Sequence, residues 1–123
     1  MAKKVLDVGN CVPDHDAIRR LIMSHFDAEV AQAHGLDDAL QALRQGSFDL
    51  ILINRKLDRD SSEGMIVLEA IKADTELAST PIMLVTNFED HQQLAVQAGA
   101  VAGFGKLALQ ESSTIDKLAE WLS

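Results

Sequence analysis

Cys11 is the only cysteine of the chain. A lone thiol cannot form an internal disulfide, a zinc knuckle or a C-x-x-C redox pair, which removes disulfide scaffolds and thiol oxidoreductases and leaves nucleophilic attack as a thiolate to be weighed. A cysteine-dependent phosphatase loop needs an arginine six positions after the cysteine to cradle the phosphate. Here that position is Ala17 and the nearest arginine is Arg19. A small hydrolase or phosphatase using Cys11 is therefore kept only as the alternative reading. The histidines His15, His25, His34 and His91 have no metal-ligand spacing with a third donor. His25 is predicted to pack, partly buried, on a helix stripe, and the other three to lie at the surface. The pairs Asp14/Asp16 and Asp58/Asp60 are fragments of hard-cation sites, of a kind frequent on acidic surfaces. No G-x-x-x-x-G-K-[ST] or G-x-G-x-x-G nucleotide loop is present. Asp7 sits inside an apolar run, where a buried carboxylate needs a partner. The expected partner is a helix N-terminus, a lysine or an arginine; a functional acid with a raised pKa is the competing reading.

The elements that must position these residues follow from periodicity. Val5–Val8, Phe48–Ile53 and Pro81–Thr86 are short apolar runs of the kind buried on both faces of a parallel sheet, and Ala28–Ala33 and Ala100–Gly105 are weaker strand candidates. Between them the apolar period becomes helical: Ile18, Leu21 and Ile22; Leu36, Ala39, Leu40 and Leu43; Ile115, Leu118, Ala119 and Leu122. Gly64–Ala73 and Glu89–Ala98 complete the helices, with Gly46 and Gly99 as stops and Ser112 or Ser113 as an N-cap. Five strand-then-helix repeats predict an α/β domain, a doubly wound five-stranded parallel sheet covered on both faces, spanning 1–123 as a single unit. In such sheets the working crevice lies at the carboxyl ends of the strands.

Composition narrows the partners. The chain has 123 residues, Lys+Arg 11 against Asp+Glu 19 and a formal net charge of −8. Phosphate attraction would have the wrong sign, so no nucleic acid is expected and protein partners are favoured. The apolar runs are far too short for a membrane span, and a cytoplasmic protein is expected.

The strand ends carry a resemblance. Glu29–Leu40, Phe48–Ile53, Pro81–Thr86, and Ala98-Gly99-Ala100 followed by Lys106 resemble the receiver domain of two-component response regulators over essentially the whole chain. The resemblance implies a flavodoxin-like sheet in order 2-1-3-4-5, with two helices on one face and three on the other. It implies an acidic pair after the first strand that holds Mg²⁺ and an aspartate after the third that accepts a phosphoryl group. In this sequence the pair falls on Gly9 and Asn10 and the acceptor on Asn54. A glycine and two amides supply no carboxylate for Mg²⁺, and an amide is a poor nucleophile. No cofactor, no metal and no enzymatic activity are expected.

Thr86 and Lys106 match the family's remaining pocket positions, whereas Leu107 stands where the family has a cis-proline and a trans bond is expected. The switch aromatic falls on Gly103. The loop after the third strand is longer than in the family, placing Lys56, Asp58 and Asp60 as groups to fill the former metal pocket. Lys56 and Arg55 are otherwise solvated or paired with nearby acids. Lys106 is expected to point toward Asn54 and Thr86, balanced by an amide oxygen, an anion, Asp58 or Asp60. The chain is accordingly read as an atypical, phosphorylation-independent receiver. Its contact face is the fourth helix, fifth strand and fifth helix, with His91, Gln92, Gly103, Lys117 and Trp121, for a protein partner or a second copy as a homodimer. Trp121 is either an interface anchor or a cap on the core.

Overall fold

The computed structural model describes residues 2–123. Its elements run β1 (Lys3–Val8), α1 (Val12–His25), β2 (Ala28–Ala33), α2 (Leu36–Gln45), β3 (Leu50–Asn54), α3 (Gly64–Ala73), β4 (Ile82–Val85), α4 (Glu89–Gln97), β5 (Val101–Phe104), a single 3₁₀ turn (Lys106–Ala108) and α5 (Ser112–Leu122). All paired strands are parallel, in the order β2-β1-β3-β4-β5. Doubly wound topology with a switch between β1 and β3 is thereby established, and the crevice opens at the carboxyl ends of those two strands.

Two apolar layers sandwich the sheet. Leu6, Val8, Ile51, Ile53, Ile82 and Leu84 face α2, α3 and α4, while Val5, Leu50, Leu52, Met83, Val85 and Phe104 face α1 and α5. The helices are thus divided three and two, as the resemblance implies. Every side chain from Leu50 to Ile53 is fully buried, worth about 1.5–3 kcal/mol each. That burial on both faces is why β3 reads as an unbroken apolar run and not as an alternation.

Three local expectations are corrected. Residue Glu111, not Ser112 or Ser113, precedes the first turn of α5, and no side chain caps it. His25 is exposed; α1 ends there, and its Nδ1 turns back to Leu21 O at 3.0 Å while Phe26 packs on the core instead. His15 is not a surface residue: its side chain is 14% exposed and engaged by β1. The bond between Lys106 and Leu107 is trans.

Candidate functional site

The β3–α3 loop folds back across the carboxyl ends of β1 and β3. Lys56 and Glu63 form an antiparallel bridge, Leu57 N–H donates to Ser62 O at 2.9 Å, and Asp58 N–H donates to Gly9 O at 2.9 Å. Asp60 Oδ1 accepts from Ser62 N–H at 3.0 Å and Ser62 Oγ at 2.6 Å, and these bonds hold its carboxyl below the usual range. The loop therefore folds back on β1 and drives Leu57, 3% exposed, onto Gly9. Gly9 has φ +82°, and a Cβ there would overlap the Leu57 side chain. Only glycine suits both the left-handed backbone and the contact. Leu57 thereby joins the apolar layer under α2 and α3. Asp58 and Asp60, expected to fill the former metal pocket, keep exposed side chains outside the cavity.

Asn54 uses its amide as a donor. Nδ2 reaches Lys56 O at 2.6 Å and Gly9 O at 3.3 Å, so the residue ties the loop to β1 through two carbonyls that a carboxylate could not satisfy.

Asn10 and Asp7 form a second centre on the α1 side. Asp7 is 0% exposed; its Oδ1 accepts from Asn10 Nδ2 at 2.5 Å and its Oδ2 from His15 Nδ1 at 2.7 Å. Burial pushes the Asp7 carboxyl up, opposed by the bonds from His15 and Asn10 and by the charges of His15 and Lys106. The partners are therefore a histidine on α1 and an amide, not the helix N-terminus, lysine or arginine contact expected from the sequence. Gln32 Nε2 donates to Asn10 O at 3.2 Å, and Asn10 Oδ1 is buried with no protein partner.

Lys106 leaves the expected direction. Its Nζ pairs with Asp14 Oδ2 at 2.7 Å, not with Asn54, Asp58 or Asp60, because α1 brings Asp14 of its first turn across the β1–β5 side of the crevice. This contact holds the Asp14 carboxyl down. Cys11 lies partly buried at the start of α1. Lys106 still lines a cavity of about 150 Å³ together with Asn54, Arg55, Lys56, Thr86 and Asn87. Arg55 lies 5.7 Å over the Phe88 ring, Lys56 is exposed, and neither makes an ion pair among the described residues. Thr86 is 8% exposed and its Oγ1 accepts from Phe88 N–H at 3.3 Å.

Mg²⁺ does not fit these residues. Gly9 has no side-chain donor, Asn10 and Asn54 offer only neutral amides whose Nδ2 atoms are committed as hydrogen-bond donors, and no carboxylate lines the cavity, whereas Mg²⁺ wants hard, anionic oxygens. Among the described residues no group of three or more His, Cys, Asp or Glu could hold a metal ion. No step through a metal is derived for this site.

The expected contact face is also reassigned in part. Gln92 is half-buried and bonded to β4 and β5, so it belongs to the fold. Trp121 is half-buried and packs on the α1–α5 core layer. His91 lies edge-on to Phe88. Lys117 is exposed, donates to Gly103 O at 3.0 Å, and lines a groove of about 360 Å³ with Glu89, Gln93, Val96, Gln97 and Ala102. Gly103 has no ring to swing, and Phe104 beside it is buried on the opposite face. Asp14 and Leu57 are the functional neighbours that sequence reading missed. Asp14 was visible only as half of an acidic pair, and Leu57 carried no signal beyond lying in an extended loop.

Among the described residues no helix is long and apolar enough to cross a membrane. The chain is similar to a response regulator from Chloroflexus aurantiacus J-10-fl, with a TM-score of 0.85, 15% identity and coverage of 98% of this chain and 97% of that one. It is similar to the chemotaxis protein CheY4 of Vibrio cholerae, with a TM-score of 0.77, 18% identity and 100% of both chains covered. NtrX from Brucella abortus matches with a TM-score of 0.74 and 19% identity over 98% of this chain but 30% of its own. At these identities the structures speak for the fold. The family model described as the response regulator receiver domain matches residues 10–111. With most of the chain matched in sequence and the sheet order reproduced, the chain belongs to the response regulator receiver domain family, the receiver module of two-component signalling.

Proposed function

We propose that this receiver is atypical: it signals through protein contact, without phosphorylation at the acceptor position and without enzymatic activity of its own. The observation that carries this reading is Asn54, whose amide donates to Gly9 O and Lys56 O in a loop closed by Leu57 on Gly9. A carboxylate that accepts a phosphoryl group needs an approach path, a cation and a nucleophilic oxygen. This arrangement offers an amide committed as a donor, in a small cavity with no carboxylate among its lining residues. The face formed by α4, β5 and α5 is the proposed contact surface for a protein partner inside the cell, with Lys117 on the rim of its groove.

Incubation with acetyl phosphate and Mg²⁺, read by intact mass, tests the reading: no adduct is expected, and an acid-labile phosphoryl adduct on any carboxylate would overturn it. The Cys11 hydrolase alternative has its own readout, turnover of an aryl phosphate that disappears in Cys11→Ser; Ala17 at the position of the phosphate-cradling arginine argues against such turnover.

A further inference from the structure

The parallel pairing of β4 with β5 contains an extra residue. Met83 pairs with Val101 and Val85 with Phe104, so two steps on β4 face three on β5, a bulge that leaves Leu84 O and Gly103 N–H without each other. Both residues are buried, and unpaired buried peptide groups are costly. The Gln92 carboxamide fills the gap from α4. Nε2 donates to Leu84 O at 2.9 Å and to Thr86 O at 3.3 Å, and Oε1 accepts from Gly103 N–H at 3.0 Å. One side-chain amide thereby stands in for a peptide unit in the ladder. On the other side of the bulge Gly103 O accepts from Lys117 Nζ of α5. A Cβ on Gly103 would overlap Leu84 O and lie 3.2 Å from Gln92 Oε1, so the glycine is what lets the amide and the strands approach.

The helix that carries this amide is otherwise lightly held. Ala95 is the single buried residue of α4, and Leu94 and Val96 are about half exposed at 51% and 46%. An element with little buried apolar surface opens at low free energy. Its polar anchor consequently decides where it sits.

We propose that Gln92 is a releasable latch that gives α4 two positions. In the latched position the carboxamide is inserted between β4 and β5. In the released position Gly103 N–H bonds directly to Leu84 O across the bulge, and Gln92 passes to solvent with the N-terminal half of α4. The close approach of Gly103 to Leu84 O makes the exchange a short movement. Because Nε2 also holds Thr86 O, and Thr86 lines the cavity beside Asn54, the latch links that cavity to α4. Only this link, not the latch, rests on the receiver reading.

Amide hydrogen exchange on the whole chain tests the latch and involves neither phosphodonor nor metal, so its outcome is independent of the phosphorylation test. Gln92→Ala removes the latch. Gln92→Glu keeps its length but places a carboxylate against the Leu84 and Thr86 carbonyls. In both variants the amides of Gln93 to Gln97 are expected to exchange about tenfold faster or more. The β1 and β3 amides stay unchanged, and the Gly103 amide remains protected by its new bond. Three results would overturn the proposal: α4 exchange within about twofold of the parent, a Gly103 amide that accelerates as much as α4, or uniform acceleration across the sheet in both variants.

Discussion

Replacing Asn54 by aspartate is the change that would restore the family's acceptor, and the geometry predicts that it damages the fold without restoring the chemistry. The amide gives two hydrogen bonds to backbone carbonyls, at 2.6 Å to Lys56 O and 3.3 Å to Gly9 O. Each such bond contributes about 0.5–1.5 kcal/mol net, and the longer one belongs at the low end. In Asn54→Asp both are lost and an anion faces two carbonyl oxygens, while the partial exposure of the site lets water relieve part of that repulsion. A loss of roughly 1–3 kcal/mol follows. The loss should shrink below the usual carboxylate range, near ~3.9, because a protonated acid can donate one bond again. Urea denaturation at neutral and acid pH measures the first effect, and calorimetric titration with Mg²⁺ the second, where no binding is expected. A variant as stable as the parent that also bound Mg²⁺ at micromolar concentrations would refute the account, since it would mean that the loop opens freely and that carboxylates outside the crevice converge on the metal.

Gly9→Asp should be worse than neutral for the same purpose: a left-handed backbone at φ +82° and overlap with Leu57 together cost roughly 2–4 kcal/mol, visible as a lowered Tm, so that aspartates at 9, 10 and 54 together do not rebuild a metal site. Asp7→Asn tests the buried carboxylate. Because burial raises the Asp7 pKa in the folded chain, its stabilising contribution is complete below the unfolded value and is lost as the pH rises through the folded one. Urea midpoints of the parent should therefore fall relative to those of the variant as the pH climbs from 4 to 7 (~1.4 kcal/mol per unit at most), and parallel curves would remove the effect. Trp121→Ala should lower stability by about 2–3 kcal/mol, below the range for a fully buried aromatic, because the ring packs on the core layer; full stability with weakened self-association would return Trp121 to the interface.

The fold was legible because its signals are short-ranged and redundant. β3 announces itself by four consecutive fully buried residues, α2 by Leu36, Ala39, Leu40 and Leu43, and the strand-helix alternation leaves few topologies to choose among. The crevice was legible only through residue types: Gly9, Asn10 and Asn54 stand out for carrying no carboxylate. The contacts around them join residues far apart in the chain. Leu57 on Gly9, His15 under Asp7 and Gln92 in the β4–β5 bulge each depend on loop geometry that no period encodes. His15 was misread as exposed because a polar ring at a stripe position gives the same pattern whether it meets solvent or a buried acid. His25, one helix stripe further on, was misread in the opposite sense because the stripe outlasts the helix.

The same contacts explain how the crevice tolerates its cations. Arg55, Lys56 and Lys106 converge on one small cavity in a chain whose formal charge is −8, and the positions that would have balanced them at the sheet edge are neutral. Lys106 finds its counter-charge on α1 instead, at Asp14, whose place in the first helical turn also favours a negative charge. Arg55 spreads over the face of Phe88, where the ring's negative face substitutes for an anion at modest energy. Lys56 stays in water, which costs nothing. Because the Lys106–Asp14 pair is about one-third exposed on each side, it contributes no more than about 1 kcal/mol. It fixes the direction of the lysine far more than it fixes the fold. Lys106 thus lines the cavity with Asn54 while its ammonium is held by α1, and the donor role of the Asn54 amide leaves that ammonium without an anionic partner on β3.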